Sequence, residues 1–207
     1  ILKNNLKGVI AGINECMLST LSACGDVNRN VMACPVPMKN DKVHQSLQDD
    51  AYAIAMHLAP QSTAYHEIWL NGKSMNEAVA EDFEPIYGKL YLPRKFKTGL
   101  TAPHDNCIDV FSQDLGFVAD IKNGEVVGYD VLVGGGMGKT HGKATTFPHL
   151  SIPICYVPRE DVLKGAEAVI TLYRDHGNRA DRKRARIKYL VADWGVEKFR
   201  EVLKGYL

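Results

Sequence analysis

Several absences narrow the class of this chain. Its five cysteines (Cys16, Cys24, Cys34, Cys107 and Cys155) contain no C-x-x-C pair and no metal-finger spacing. Scattered thiols in odd number argue for reduced cysteines in a cytosol-like compartment, each an ordinary small hydrophobe. No window approaches the roughly 18 to 20 uninterrupted apolar residues of a membrane span. No charged-then-apolar leader opens the chain. An excess of one charge is missing too: 25 basic residues face 24 acidic ones, for a net charge of +1. That balance excludes a bulk polyanion binder and leaves room for a local basic patch. Aromatics make up only 8% and do not alternate with basic residues, and the seven histidines form neither H-x-x-x-H nor a Ser/His/Asp set. There is no internal repeat and no low-complexity tract.

What is present suffices for a real core. At 207 residues, roughly 70% of the unfolded surface can be buried without staples. The first residue is Ile1 and not Met, which suggests a piece of a longer chain. Leu6, Val9, Ile10, Ile13 and Met17 recur at helical spacing after a candidate cap at Asn4 or Asn5. An irregular stretch from Cys24 to Asn30 leads to Pro35 and Pro37 and reads as a structured loop. A second helix places Leu47, Ala51, Ile54, Ala55 and Leu58 on one face and stops at Pro60. Strands are expected at Tyr65 to Leu70, Lys89 to Thr101, Cys107 to Phe111, Leu115 to Lys122 and Glu125 to Val133. Asn71-Gly72 closes the first of them, before an acidic stretch through Glu77, Glu81, Asp82 and Glu84; Asn123-Gly124 suits a tight type I′ hairpin between the last two. After Pro158 the spacing predicts helices through Val162 to Tyr173, Ile187 to Trp194 and around Phe199 and Leu203. This order indicates α+β, with a mainly antiparallel sheet covered by helices.

Four segments could carry chemistry. Gly138-Lys139-Thr140 has the tail of a P-loop, but Val133 stands where that motif requires glycine, and His141-Gly142-Lys143 with Pro148 beyond it does not read as a helix. The run Gly134-Gly135-Gly136 still lets backbone approach a flat partner closely. In Leu92-Pro93-Arg94-Lys95-Phe96-Lys97, strand alternation puts Lys95 and Lys97 about 7 Å apart on one face. Two readings stay open there: a solvated strand face, or an anion site able to supply protons. Arg174 to Lys188 is strongly basic, which fits a solvated face, a nucleic-acid patch, or a ligand with many carboxylates gripped by arginine forks. Lastly, Arg29 sits between Asn28 and Asn30 in a proline-flanked loop, where side-chain hydrogen bonds can orient it.

Taken in order, four motifs resemble the siroheme and iron–sulfur nitrite/sulfite reductase family. They are Gly25-Asp26-Val27-Asn28-Arg29-Asn30-Val31, Tyr91-Leu92-Pro93-Arg94-Lys95-Phe96-Lys97, Val133-Gly134-Gly135-Gly136-Met137-Gly138 and Gly177-Asn178-Arg179-x-Asp181-Arg182-Lys183. The first is similar to the assimilatory sulfite branch more than to the nitrite branch, and weaker similarity fills the intervals. The resemblance implies an α+β siroheme-domain fold over residues 23–207, preceded by a remnant of a ferredoxin-like half-domain over 1–22. It implies that Arg29, Lys95 and Lys97 face sulfite on siroheme iron, as catalytic residues. It further implies that Arg94, Asn178, Arg179, Arg182 and Lys183 hold the siroheme carboxylates, with Gly135 and Gly136 also against the cofactor.

The family's 4Fe–4S cluster is held by cysteines in C-x5-C and C-x3-C pairs, which this chain lacks. No metal ligand is therefore expected in the chain, and its 4Fe–4S cluster would belong to a missing cluster-binding domain of the intact enzyme. The implied function is a share in the six-electron reduction of sulfite to sulfide, in the cytoplasm or, for a plant-type protein, a plastid. The implied partners are sulfite, that missing domain, and a ferredoxin or flavoprotein electron donor, with no nucleic acid and no membrane. By itself the chain is expected neither to assemble the cluster nor to reduce sulfite. The alternatives are a ferredoxin-dependent nitrite reductase domain and a non-catalytic, RNA-type basic module.

Overall fold

The Asn123-Gly124 turn organises the centre of the sheet. Both residues adopt positive φ, 51° and 78°, and join β5 (Leu115–Lys122) to β6 (Glu125–Val133) in a tight hairpin. The computed structural model describes residues 1–16, 25–61, 69–70, 73–74 and 84–207. Cys24, most of the expected Tyr65–Leu70 strand, its Asn71-Gly72 turn and the acidic stretch through Asp82 lie outside them. Of that region, β2 (Trp69–Leu70) and β3 (Lys73–Ser74) form a small antiparallel pair.

Five strands make the main sheet, in the order β1 (Asn28–Met32), β4 (Phe96–Thr101), β5, β6 and β7 (Ile152–Pro158). The fold is α+β as expected, but the sheet is mixed. β6 pairs antiparallel with β5 and β7, whereas β1–β4 and β4–β5 are parallel. Parallel pairing needs a long connection, and both connections supply one. The first contains α2 (Lys42–His57), and the second a 3-10 turn at Val110–Ser112. That second connection includes the segment Cys107–Phe111, expected to be a strand; Asp109 at φ 50° breaks any extended run there. The strand expected from Lys89 starts only at Phe96, because Tyr91 has φ 56° and Pro93 follows it. Conversely, the loop expected through Asn30 becomes strand from Asn28 onward.

Helices α2, α3 (Val162–His176), α4 (Ile187–Trp194) and α5 (Val196–Leu203) pack on the sheet. Their shared core contains Leu47, Ile54, Phe96, Phe117, Tyr129, Val169, Tyr173 and Phe199. Asp41 caps α2 by accepting from the backbone N–H groups of Val43 and His44. Gly195, at φ 76°, ends α4 as its sequence indicates. The first helix, α1 (Leu6–Glu15), buries none of its residues. Behind the sheet, Ile108, Val110 and Leu132 form a second, small core under the β4–β5 connection. Among the described residues, no helix is long and apolar enough to cross a membrane.

Candidate functional site

Three of the four sequence motifs are fastened together by hydrogen bonds to main-chain carbonyls. Asp26 and Val27 carbonyls accept from Leu92 and Phe96 N–H at 2.8 and 3.1 Å, which fastens the first motif to the second. Asn28 is buried: its Oδ1 accepts from the Thr98 hydroxyl at 2.9 Å, and its N–H donates to the Tyr87 hydroxyl. These anchors fix the backbone on either side of Arg29, whose Nε donates to the Gly25 carbonyl at 3.1 Å. The fourth motif closes on the second. Arg179 donates to the carbonyls of Leu90, Tyr91 and Arg174 at 3.2, 2.6 and 2.8 Å. Gly177 lets Pro93 pack close, since a Cβ there would lie 2.6 Å from the proline ring.

This assembly brings the three predicted catalytic cations together. Phe96 is buried in the core, while Lys95, just before β4, and Lys97 within it are half-buried. The Lys95 ammonium is pushed below the ordinary lysine value, first by burial and then by the charges of Lys97, Arg186 and Arg29. One carboxylate, Asp114, acts the other way. Asp114 is fully buried and accepts from Arg186 Nη2 at 2.7 Å and from the Lys97 N–H at 3.2 Å. Burial pushes its carboxyl up from the usual range, while the Arg186 guanidinium pulls the other way. The surroundings of Lys95 thus contain more cation than anion, the condition for attracting an oxyanion.

Arg186 and Asp114 escape a reading of the sequence. They lie 72 residues apart and no local spacing links them. Lys188 does carry a sequence signal: it sits within the buried apolar run Ile187–Val191. Its ammonium is fully buried and donates to the carbonyls of Gly136, Gly138 and Phe147 at 2.9, 2.7 and 2.5 Å. Three donors meet three acceptors, so this charge holds the glycine loop from inside. The glycines answer the same packing. A Cβ on Gly135 would lie 2.3 Å from the Gln113 carbonyl, and one on Gly136 2.6 Å from the Arg186 guanidinium. At Gly135 the lack of a side chain is thus required by this chain's own backbone, and at Gly136 it leaves room for the Arg186 fork.

The remaining predicted residues are less gathered. Asn178 is exposed, and its side chain accepts from the N–H groups of Ala180 and Asp181. Arg182 forks onto Asp26 at 2.9 and 3.1 Å while remaining 61% exposed. Lys183 is exposed, and Arg94 is half-buried.

Comparison with known proteins places the chain in a family. Residues 50–207 match the family described as "Nitrite and sulphite reductase 4Fe-4S domain". The chain is 49% identical, over 207 residues, to the sulfite reductase [NADPH] hemoprotein beta-component of Staphylococcus saprophyticus, covering all of this chain and 36% of that one. It is 48% identical over 200 residues to the protein of the same name from Shewanella sp. strain ANA-3, covering 97% of this chain and 35% of the relative. Its fold is similar to Mycobacterium tuberculosis NirA, with a TM-score of 0.66 at 26% identity, covering 97% of this chain and 31% of NirA. The chain therefore spans about a third of the length of these relatives. With the family matched over residues 50–207, the chain belongs to the nitrite and sulphite reductase family.

Proposed function

We propose that this chain supplies the substrate- and cofactor-binding cations of a sulfite reductase hemoprotein. The supporting observation is that the charges of Lys97, Arg186 and Arg29 all act on Lys95 in one sense, with the buried Asp114 carboxylate acting against them. Such a set fits a polyacidic tetrapyrrole and a small oxyanion. Siroheme, when bound, supplies the iron and the electron chemistry. Arg29, Lys95 and Lys97 are the catalytic residues. Arg29 stays charged and orients the oxyanion, its Nε held on Gly25. Lys95, with its depressed pKa, is the readier proton donor, and Lys97 keeps the field positive as that proton leaves.

Arg94, Asn178, Arg179, Arg182 and Lys183 hold the cofactor carboxylates. Arg179 does so mainly by pinning the Leu90–Tyr91 backbone, and Arg182 by exchanging Asp26 for cofactor. Gly135 and Gly136 offer backbone alone. Residues 23–207 form the binding domain; residues 1–22 are the remnant of a preceding half-domain, supported by α1 burying nothing. The 4Fe–4S cluster takes its cysteines from elsewhere in the intact protein, since neither cysteine pair spacing occurs here. Sulfite is the substrate, and the beta-component names of the relatives support an NADPH-linked partner subunit over ferredoxin as electron donor. The intact protein acts in the cytoplasm, and the isolated chain does not turn over.

The test is Lys95→Met in the intact protein. Sulfite turnover should fall by about 10²-fold or more while the siroheme absorption is retained. Undiminished turnover would reduce Lys95 to a surface lysine. Competition between sulfite and nitrite on the same protein separates the sulfite reading from a nitrite reductase.

A further inference from the structure

The opposite ends of β1 and β4 assemble a second constellation. Because these strands run parallel, with Met32 beside Gly99, the loops that leave them emerge side by side. One loop contains Cys34 and the other Asp105 and Cys107. Their two sulfurs and a carboxylate oxygen all lie within 4.8 Å of one another. We propose that Cys34, Cys107 and Asp105 bind a borderline-soft divalent metal ion of the zinc class, and that His44, whose ring nitrogens lie outside this 4.8 Å group, moves in as the fourth ligand.

Sulfurs sharing a tetrahedral zinc at about 2.3 Å each stand roughly 3.8 Å apart, a separation within reach of this cluster. His44 supplies an independent pointer. It belongs to the first turn of α2 and is only 8% exposed, yet its Nε2 is buried without a hydrogen-bond partner. A buried imidazole nitrogen left unpaired is costly, and a metal is a natural partner for it. His44 and Asp105 line the same cleft of about 830 Å³, and the His44 ring acts electrostatically on the Asp105 carboxyl. Cys107 is exposed and borders a second cavity, so an ion has an entry path to a cluster whose other thiol, Cys34, is buried.

Supporting contacts resemble those that steady metal ligands. Gln48 of α2 donates to the Cys34 carbonyl at 2.5 Å, and Asp105 accepts the Cys107 N–H at 2.8 Å. Without metal, hydrogen bonds from the Cys107 thiol to Asp105 and Cys34 push it up to about 12. The ion would tie together the far ends of the two strands whose near ends present Arg29 and Lys97.

Zinc content and the zinc K-edge X-ray absorption of the intact protein decide the matter, since iron does not absorb at that edge. After equilibration with zinc, a reductant and a competing chelator, one zinc per chain with two sulfur neighbours is expected. Cys107→Ser, at an exposed position, should lower zinc affinity by at least about tenfold and remove one sulfur from the zinc shell. His44→Gln should remove a nitrogen, and Cys16→Ser should change nothing. Zinc without sulfur neighbours, equal retention by Cys107→Ser, or a Cys34–Cys107 disulfide persisting under reductant would each overturn the proposal.

Discussion

Two basic regions of this molecule use charge in opposite ways. In the segment from Arg174 to Lys188, every cation except Lys183 is committed inside the protein. Arg174 pairs with Asp175, Arg182 with Asp26 and Arg184 with Asp193, while Arg179 and Lys188 spend their donors on carbonyls. Around Lys95, cations instead crowd one another, and burial with like charge lowers the lysine's pKa. Arg186 belongs to both regions, holding Asp114 with its fork while adding its charge to the crowd. Density of basic residues along the chain therefore says little. What separates scaffold from site is whether the chain itself supplies the counter-charges.

The sharpest way to break this comparison is Lys95→Met in the intact protein, where turnover should drop by about 10²- to 10⁴-fold. The same change should leave the fold unharmed. The lowered Lys95 pKa means the charged form is penalised in the folded state throughout neutral pH. That penalty is relieved as pH rises through the depressed folded pKa, so wild-type and variant stabilities should converge toward pH 10.5. Thermal unfolding from neutral to alkaline pH tests the sign. A variant less stable than wild type at neutral pH would contradict it.

Next in size is Asp114→Ala. It leaves the Arg186 guanidinium without its carboxylate, at a cost of about 3–5 kcal/mol read by urea unfolding. Lys188→Met strands three carbonyls at once and should cost about 2 kcal/mol or more, with the glycine loop opening first in hydrogen exchange. Arg182→Ala, which breaks a pair whose arginine is 61% exposed, should cost under about 1 kcal/mol in the same unfolding measurement. If the Arg182 change proved costlier than the Lys188 change, the contrast between buried scaffold and exposed cation would fail.

Much of this is legible from residues alone, for reasons that differ by element. The β5–β6 hairpin is readable because Asn123-Gly124 suits positive φ at both positions. The helices α3 and α4 announce themselves by apolar spacing and a terminal glycine. Strand direction is not readable, since nothing local says whether β4 and β5 pair parallel across a connection containing a 3-10 turn. The Arg-Lys-Phe-Lys motif draws attention to Lys95 and Lys97 on either side of a buried Phe96, but Asp114 and Arg186 meet only through tertiary packing. The glycine run stands out for its backbone access, whereas its neighbours prove to be the Phe111–Gln113 backbone and Arg186. The Cys34–Cys107 approach is equally invisible, because it depends on two parallel strands ending together.

The pairing of β1 with β4 also bears on the order of events during folding. Asn28 and Thr98, bonded across that pair, are 70 residues apart in the chain. Their encounter must overcome the closure entropy of a large loop, and such long-range steps fold slowly. Arg29 and the two lysines thus become neighbours only once the loop has closed. A partly folded chain presents no anion trap, and any ligand that grips all three cations selects molecules whose topology is already complete.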